Sequence, residues 1–446
     1  MKRNLLIFLT CTLLAVESKA QIINKEECAS WWEVCNNKTL NELLSCALSN
    51  NHNIISASNN ILLARSNWRA SQAGFYPSIS LNAGYITEKT SQGIAFVDKK
   101  DQIGEATINA TWEIDIFGSI RKKAESKKAT FVASEMEYNS VMISLCGQIV
   151  EEYAQLRAIQ DELNNAKQNA QLQQTIMQLT QEKYANGLAT ALDAAQAKSL
   201  YLQTKAEIPN LEYSLESQIN TITALIGNSD EEIIAKLTNN EELTTPPTFL
   251  FNGVKANVIK QRPDIMQAEA ELNSYIKDAG AAKSEYWPQF FVTAEFGYGS
   301  HQFSHFTDYK NMVWQVEPAM KWNIFSGREV TQAKRAALIQ VEEGVNKLNL
   351  AISNALSDLE NSITEVRTST EQKNAAQAAL NQAQITYNLA EELYRQGLTD
   401  YQQLMSAQQS LLSAQNNYTE TIFGMWQATA SLYVATGGGW ELIISN

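Results

Sequence analysis

Trp314-Gln315-Val316-Glu317-Pro318-Ala319-Met320-Lys321-Trp322-Asn323-Ile324 sets an apolar residue at every second position. A period of two with one polar face marks a strand with two unlike faces, and a run of about 10 residues suits a tilted strand crossing a bilayer. Three other segments read the same way: Ile79, Leu81, Ala83 and Tyr85; Ile108, Ala110, Trp112, Ile114 and Ile116; and Phe290, Val292, Ala294, Phe296 and Tyr298. A half-buried sheet in a soluble domain shows this alternation too, so context has to decide. Only these four segments read as strands, the rest reads as helix, and the chain opens with an export signal. Tyr85, Trp112, Trp314 and Trp322 are therefore expected as membrane-interface aromatics.

Working outward, the chain is written twice. Gly74-Phe75-Tyr76-Pro77 recurs as Glu285-Tyr286-Trp287-Pro288, and Ile116-Phe117-Gly118 as Ile324-Phe325-Ser326-Gly327. Lys183-Tyr184-Ala185-Asn186-Gly187-Leu188 recurs as Leu393-Tyr394-Arg395-Gln396-Gly397-Leu398, and Ala224-Leu225-Ile226-Gly227 as Val434-Ala435-Thr436-Gly437. All four recur in the same order at offsets of 208 to 211 residues. Pro246-Pro247 marks the join. The expected organisation is a signal peptide at 1–20 and two repeats, 21–245 and 246–446. Each repeat holds a helix, a strand pair (78–116 and 289–325) and a long helical hairpin (119–228 and 327–437).

The remaining segments carry helix signals. Thr39-Leu40-Asn41-Glu42 reads as a capping box opening a helix to about Ala73, before Pro77. From Ser119 to Tyr184 there is no proline and one glycine, Gly147; from Arg328 to Arg395 the only glycine is Gly344. A helix through the first of these stretches would be about 99 Å long. Gly187 and Gly397 then mark turns into return helices ending near Gly227 and Gly437. The small and amide residues of these stretches let helices approach closely and tolerate a water-filled interior. The fold class is thus mainly α with a small β part.

Met1-Lys2-Arg3, the apolar stretch Leu5 to Val16, and Ser18-Lys19-Ala20 form a signal peptide with its cleavage site. Cys11 lies inside the apolar run after Thr10, which disfavours a lipoprotein signal. The net charge of −13 becomes −15 without residues 1–20, and an acidic balance argues against a nucleic-acid partner. No later segment reaches the run of about 18 apolar residues that a spanning helix needs. Cys28 and Cys35 can pair in an oxidising periplasm or remain thiols; Cys46 and Cys146 complete the set, and their spacing gives no metal pattern.

Four strands cannot close a barrel, and an open edge in lipid leaves backbone groups unsatisfied at several kcal/mol each. Two chains would give eight strands, a number that side chains fill; three give 12, wide enough for a channel. The helices leave the strands on one side, so they are expected to build a coaxial helical tube.

Several motifs carry a family resemblance: Trp31-Trp32-Glu33, Ala47-Leu48-Ser49-Asn50-Asn51, Ile114-Asp115-Ile116-Phe117-Gly118, Arg262-Pro263-Asp264-Ile265 and Asn323-Ile324-Phe325-Ser326-Gly327-Arg328. With them go Tyr394-Arg395-Gln396-Gly397-Leu398 through Ala407-Gln408, and Gly437-Gly438-Gly439-Trp440. Over essentially the whole mature chain this resembles the TolC-like outer-membrane factors, most closely the NodT-like branch serving resistance-nodulation-division efflux pumps. The resemblance implies a homotrimer with a 12-stranded β-barrel among outer-membrane lipids and an α-barrel in the periplasm. It implies a periplasmic adaptor (membrane fusion protein) and an inner-membrane resistance-nodulation-division pump as partners. The role implied is a passive conduit for drugs and other toxic small molecules. Tyr184, Gly187, Leu188, Tyr394, Gly397 and Leu398 would meet the adaptor at the hairpin tips.

In the family those tips close the resting tunnel, often through a ring of carboxylates. Here the positions six and nine residues after the tip glycine are Gln403 and Ser406 in the second repeat, and Asp193 and Gln196 in the first. Three positions further on, where the family has a basic residue, stands Gln409. A gate built from these residues and Gln402 would rest on amides and a hydroxyl rather than paired charges, with weaker cation selectivity than a carboxylate ring gives. Asp400 reads as a solvated residue, with a ring nearer the tip as the alternative.

Other chemistry finds little support. His301 and His305 stand at i, i+4 but between strands, where loop histidines are solvated more often than ligating. No nucleophile elbow, phosphate loop or zinc-protease motif occurs, and Asp161, Glu162 and Glu182 read as solvated helix faces. No catalytic residue, metal or cofactor is expected. A surface coiled-coil protein and a channel for type I protein secretion are the alternative functions; duplicated strand pairs disfavour the first.

Overall fold

The computed structural model describes residues 37–90, 99–241, 243–246, 260–301 and 306–438. The signal peptide, Cys28, Cys35, the Trp31-Trp32-Glu33 motif, Pro247, His305 and the Gly439-Trp440 ending lie outside them. Helices α1 (Lys38–Asn50) and α2 (His52–Ser71) precede strands β1 (Ser78–Thr90) and β2 (Lys99–Ile114). Next come α3 (Ser119–Ala185), α4 (Ala191–Ile226) and the short α5 (Glu231–Thr238). The second repeat supplies α6 (Pro263–Ser284), β3 (Gln289–Ser300), β4 (Met312–Lys321), α7 (Glu329–Gln396) and α8 (Tyr401–Ala435). Among the described residues no helix is long and apolar enough to cross a membrane.

Helices and strands line up as four staves. The sheet is antiparallel in the order β1-β2-β3-β4. Above it α3 packs between the α2/α4 and α6/α8 rows, and α7 packs on α6 and α8. Within a row two helices meet end to end, in the same way in both repeats. Asn51 Nδ2 donates to the Leu225 carbonyl at 2.6 Å, so the α2 N-cap also caps α4. In the second repeat Arg262 Nη1 donates to the Ala435 carbonyl at 2.9 Å, at the α6–α8 junction. Left-handed glycines let the chains meet: a Cβ on Gly227 would lie 2.5 Å from the Asn50 carbonyl oxygen. α3 and α7, at 67 and 68 residues, run unbroken beside these paired rows, each about 100 Å long.

The strand ends follow from proline and register. β1 starts after Pro77 and β3 after Pro288, so the last rungs are Ser78↔Thr111, Ile114↔Phe290 and Gln289↔Lys321. β2 and β4 therefore stop short of the expected 116 and 325, because no partner strand lies opposite. Equivalent bonds tie each strand pair to the chain before it: Trp112 Nε1 donates to the Phe75 carbonyl at 3.1 Å, and Trp322 Nε1 to the Tyr286 carbonyl at 3.2 Å.

Three expectations need correction. The first helix opens on Asn37, whose side chain accepts from Leu40 N, so Thr39 lies inside the helix and its capping box does not form. That helix then breaks at Asn51, because the Asn51 side chain caps α2 and α4 together. α5 was not legible; it seats Leu237 in the main core beside Leu40, Leu44, Ile149, Leu156 and Ile226. Each such aliphatic side chain contributes about 1.5–3 kcal/mol on burial.

Candidate functional site

Both faces of the sheet are formed within one chain, and the register sorts them. Ile79, Leu81, Ala83 and Tyr85 stand opposite Ala110, Ile108, Ala106 and Gly104. Further across, Ile108, Ala110 and Trp112 meet Phe296, Ala294 and Val292, which meet Trp314, Val316 and Pro318. This is one continuous apolar face, and Ile79, Leu81, Tyr85, Ile108, Trp112, Phe296, Trp314 and Val316 on it remain exposed. The opposite face carries Ser80, Asn82, Thr111, Glu113, Thr293, Glu295, Gln315 and Glu317, including the row Asn109↔Glu295↔Gln315.

The register also places the predicted interface aromatics. Trp112 (opposite Val292) and Trp322 lie at the helical end of the sheet. Tyr85 is opposite Gly104, which pairs with Ser300, eight residues along β3 from Val292, about 26 Å at 3.3 Å per residue. Trp314 stands opposite Phe296, halfway between these levels along the strands, so the register does not put it at a girdle. Two further aromatics stand at the end of the sheet away from the helices. The rings of Tyr298 and Phe306 lie 6.4 Å apart, and Phe306 borders Gly104 together with Tyr85. Phe306 sits in a loop, so no strand periodicity could have marked it.

At the other extremity the two hairpins turn alike. Gly187 and Gly397 have φ of 72° and 77°, and the bonds Leu188 N to Lys183 O (2.8 Å) and Leu398 N to Leu393 O (2.9 Å) close a Schellman turn on each long helix. Tyr184, Leu188 and Leu398 are exposed there, as are Leu192 and Leu393. The sequence signal for these last two is a leucine about one turn from a tip glycine.

Tyr394 departs from the expectation. It is 4% exposed and packs edge-on against Tyr401, ring centroids 6.0 Å apart. Its hydroxyl lies 3.0 Å from Thr180 Oγ1, which itself donates to the Ile176 carbonyl, so Tyr394 is the donor. Lys183 Nζ donates to the Tyr394 carbonyl and sits 4.1 Å from its ring centroid. Tyr394 therefore stitches the hairpins together from inside and offers no ring to a partner. Burial, then the nearby Tyr394 and Asp193, push the Tyr401 hydroxyl up to about 12, so it stays protonated.

The expected gate residues divide by repeat. Gln402, Gln403, Ser406 and Gln409 are all exposed along one side of the first turns of α8. Asp193 instead belongs to a capping box: it accepts from Thr190 N at 2.9 Å while Thr190 Oγ1 accepts from Asp193 N. Gln196 is half-buried. Asp400 caps α8, accepting from Gln403 N at 2.9 Å, which corrects its reading as a merely solvated side chain. Among the described residues no cluster of His, Cys, Asp and Glu could hold a metal.

A sheet with one apolar and one polar face at one end of helical hairpins about 100 Å long is the architecture that known proteins share. The family model for outer membrane efflux proteins matches residues 43–228 and again 256–438. The chain belongs to the outer membrane efflux protein family. It is 24% identical over 354 residues to the pyoverdine export outer membrane protein OpmQ of Pseudomonas putida, covering 77% of this chain and 73% of that one. The cation efflux system protein CusC of Escherichia coli K12 is 23% identical over 74% of this chain and 71% of its own. In structure the chain is similar to the CmeC outer membrane channel of Campylobacter jejuni, with a TM-score of 0.87, 20% identity, and coverage of 94% and 89%. This member of the family is thus an outer-membrane efflux channel reaching into the periplasm.

Proposed function

We propose that three copies join β1 of one chain to β4 of the next, closing a 12-stranded barrel continuous with a helical tunnel. The observation that carries this is the sheet itself, which has a lipid-type and a water-type face while its two edge strands have no partner strand among the described residues. Closure satisfies those edges, which would otherwise cost several kcal/mol per backbone group in lipid. The polar face then lines the pore, with Glu113, Glu295 and Glu317 on it. Trp112 and Trp322 at one end, and Tyr85 with Tyr298 and Phe306 at the other, form the girdles; Trp314 packs between them. The two repeats divide near residue 245.

In this reading the tunnel is a passive conduit for drugs and other toxic small molecules, delivered by an inner-membrane resistance-nodulation-division pump and a periplasmic adaptor. Tyr184, Leu188 and Leu398, with Leu192 and Leu393, meet the adaptor, while Gln402, Gln403, Ser406 and Gln409 line the resting constriction. The names of the relatives span pyoverdine export and cation efflux, so the pump is assigned the choice of cargo.

The test is deletion of the chain followed by accumulation of dyes, drugs and metal ions in intact cells. Accumulation should rise for at least one class and return to normal on complementation. Unchanged accumulation with loss of a secreted protein would overturn the efflux reading in favour of protein secretion. Cysteine pairs placed across β1 and β4 should cross-link the chain up to a trimer and no further.

A further inference from the structure

Positive charge is distributed unevenly in this acidic chain. Four stretches meet where the sheet joins the helices: 65–69 late in α2, 119–128 opening α3, 277–285 closing α6, and 328–335 at the start of α7. Together they hold twelve Lys and Arg against four Asp and Glu, in a chain whose net charge is −13. Two of those four carboxylates are engaged locally, Glu125 with Lys277 at 2.9 Å and Glu285 with Lys123 at 3.6 Å. Arg121, Lys127, Lys283, Arg328 and Arg335 are exposed.

This collar follows directly on the apolar face of the sheet. Trp322 continues the apolar row of β4, its indole bound to the Tyr286 carbonyl. Lys334 Nζ lies 5.6 Å from the centroid of that same Tyr286 ring. Trp287, stacked on Phe117 at 5.3 Å, lies at the same end with the exposed Phe325. Along the molecule the order is therefore apolar sheet, aromatic belt, cationic collar. A bilayer presents hydrocarbon, interface and headgroup phosphate in that order, and basic clusters just beyond a membrane segment attract anionic lipid. The helices extend into the periplasm, so the leaflet that meets the collar is the periplasm-facing one.

We propose that this collar binds the headgroups of anionic phospholipids in the periplasmic leaflet, an inference that rests on the closed trimer proposed above. The test reconstitutes the full chain in vesicles of phosphatidylethanolamine with about one-fifth phosphatidylglycerol, then extracts it with a polymer that keeps its surrounding lipid. The co-extracted phosphatidylglycerol fraction should exceed the bulk fraction by about two-fold. The joint variant Lys127→Gln, Lys283→Gln, Lys334→Gln and Arg335→Gln should fall back to the bulk value. Lys→Arg replacements at the three lysines, and Lys198→Gln with Lys205→Gln on α4, should keep the enrichment. Wild-type protein that inserts as a trimer without enrichment, or a neutralised variant that keeps it, overturns the inference alone. So does a neutralised variant that changes ion permeability but not lipid composition, since its charges would then face the lumen. Failure of the wild-type chain to insert as a trimer overturns the proposed assembly as well.

Discussion

Arg157 shows what one buried side chain does in a long helix. It is 1% exposed on α3, and its Nη1 donates to Gln160 Oε1 at 2.7 Å and to the Asn239 carbonyl at 2.6 Å. Nη2 pairs at 3.2 Å with Glu241, which also accepts from the Tyr153 hydroxyl. The chain after α5 is thereby tied to the middle of the hairpin. Arg157→Ala leaves Gln160 Oε1 without a donor and the Asn239 carbonyl with only the 3.4 Å bond from Gln160 Nε2, while Glu241 stays half in water, so a loss of about 2 kcal/mol is expected in urea denaturation. Arg157→Lys should recover only part of it, since an ammonium cannot span these acceptors. Gln403 is the residue for the gate: Gln403→Asp would place a carboxylate ring where this chain has amides. The potassium-to-chloride permeability ratio from bilayer reversal potentials should then rise roughly several-fold; no change would remove Gln403 from the constriction. The burial of Tyr394 against Thr180 is not legible in sequence, because a tyrosine beside a tip glycine looks the same whether it faces a partner or the other hairpin.

At the scale of elements, the seam between the repeats is β2 against β3. A Cβ on Gly297 would lie 2.2 Å from the Ala106 carbonyl oxygen and 2.6 Å from Thr107 Cα, so that rung closes only on glycine. Gly297→Val should reduce the yield of heat-resistant trimer on gels while leaving helix content by circular dichroism nearly unchanged, because the helices pack independently of that rung. Long helices and strands were legible for a local reason: periods of two, proline-free stretches and tip glycines act through their sequence neighbours. The break at Asn51 and the helix α5 were not, since a carbonyl at Leu225 and a core around Leu237 belong to distant parts of the chain. The same holds for Arg262, legible as the residue before a helix start but not as the cap of α8.

At the scale of the whole molecule, acidic helices packed side by side create a pH dependence. Glu162 on α3, read from sequence as solvated, is held above its ordinary carboxylate value by burial first, and then by Glu420 on α8, Glu207 on α4 and neighbouring Asp161. A carboxyl whose folded pKa is raised favours folding most when protonated, so its contribution is lost as pH rises from about 4.5 through the raised value. Glu162→Gln should therefore raise the apparent Tm at pH 7.5 by roughly 1–2 °C. The difference should vanish in acid, as scanning fluorimetry from pH 4 to 8 would show. The strand faces, the lengths of the two long helices and the tip turns of this protein were determined by its sequence alone, because each depends on periodicity or on residues that break it nearby. Only the tertiary structure decided which polar residues are committed to caps, which tip tyrosine is buried, how helices α4 and α2 or α8 and α6 join into rows, and where basic residues from four segments gather. Those outcomes depend on groups far apart in the chain sharing one small volume, where burial and hydrogen-bond satisfaction outweigh local preference.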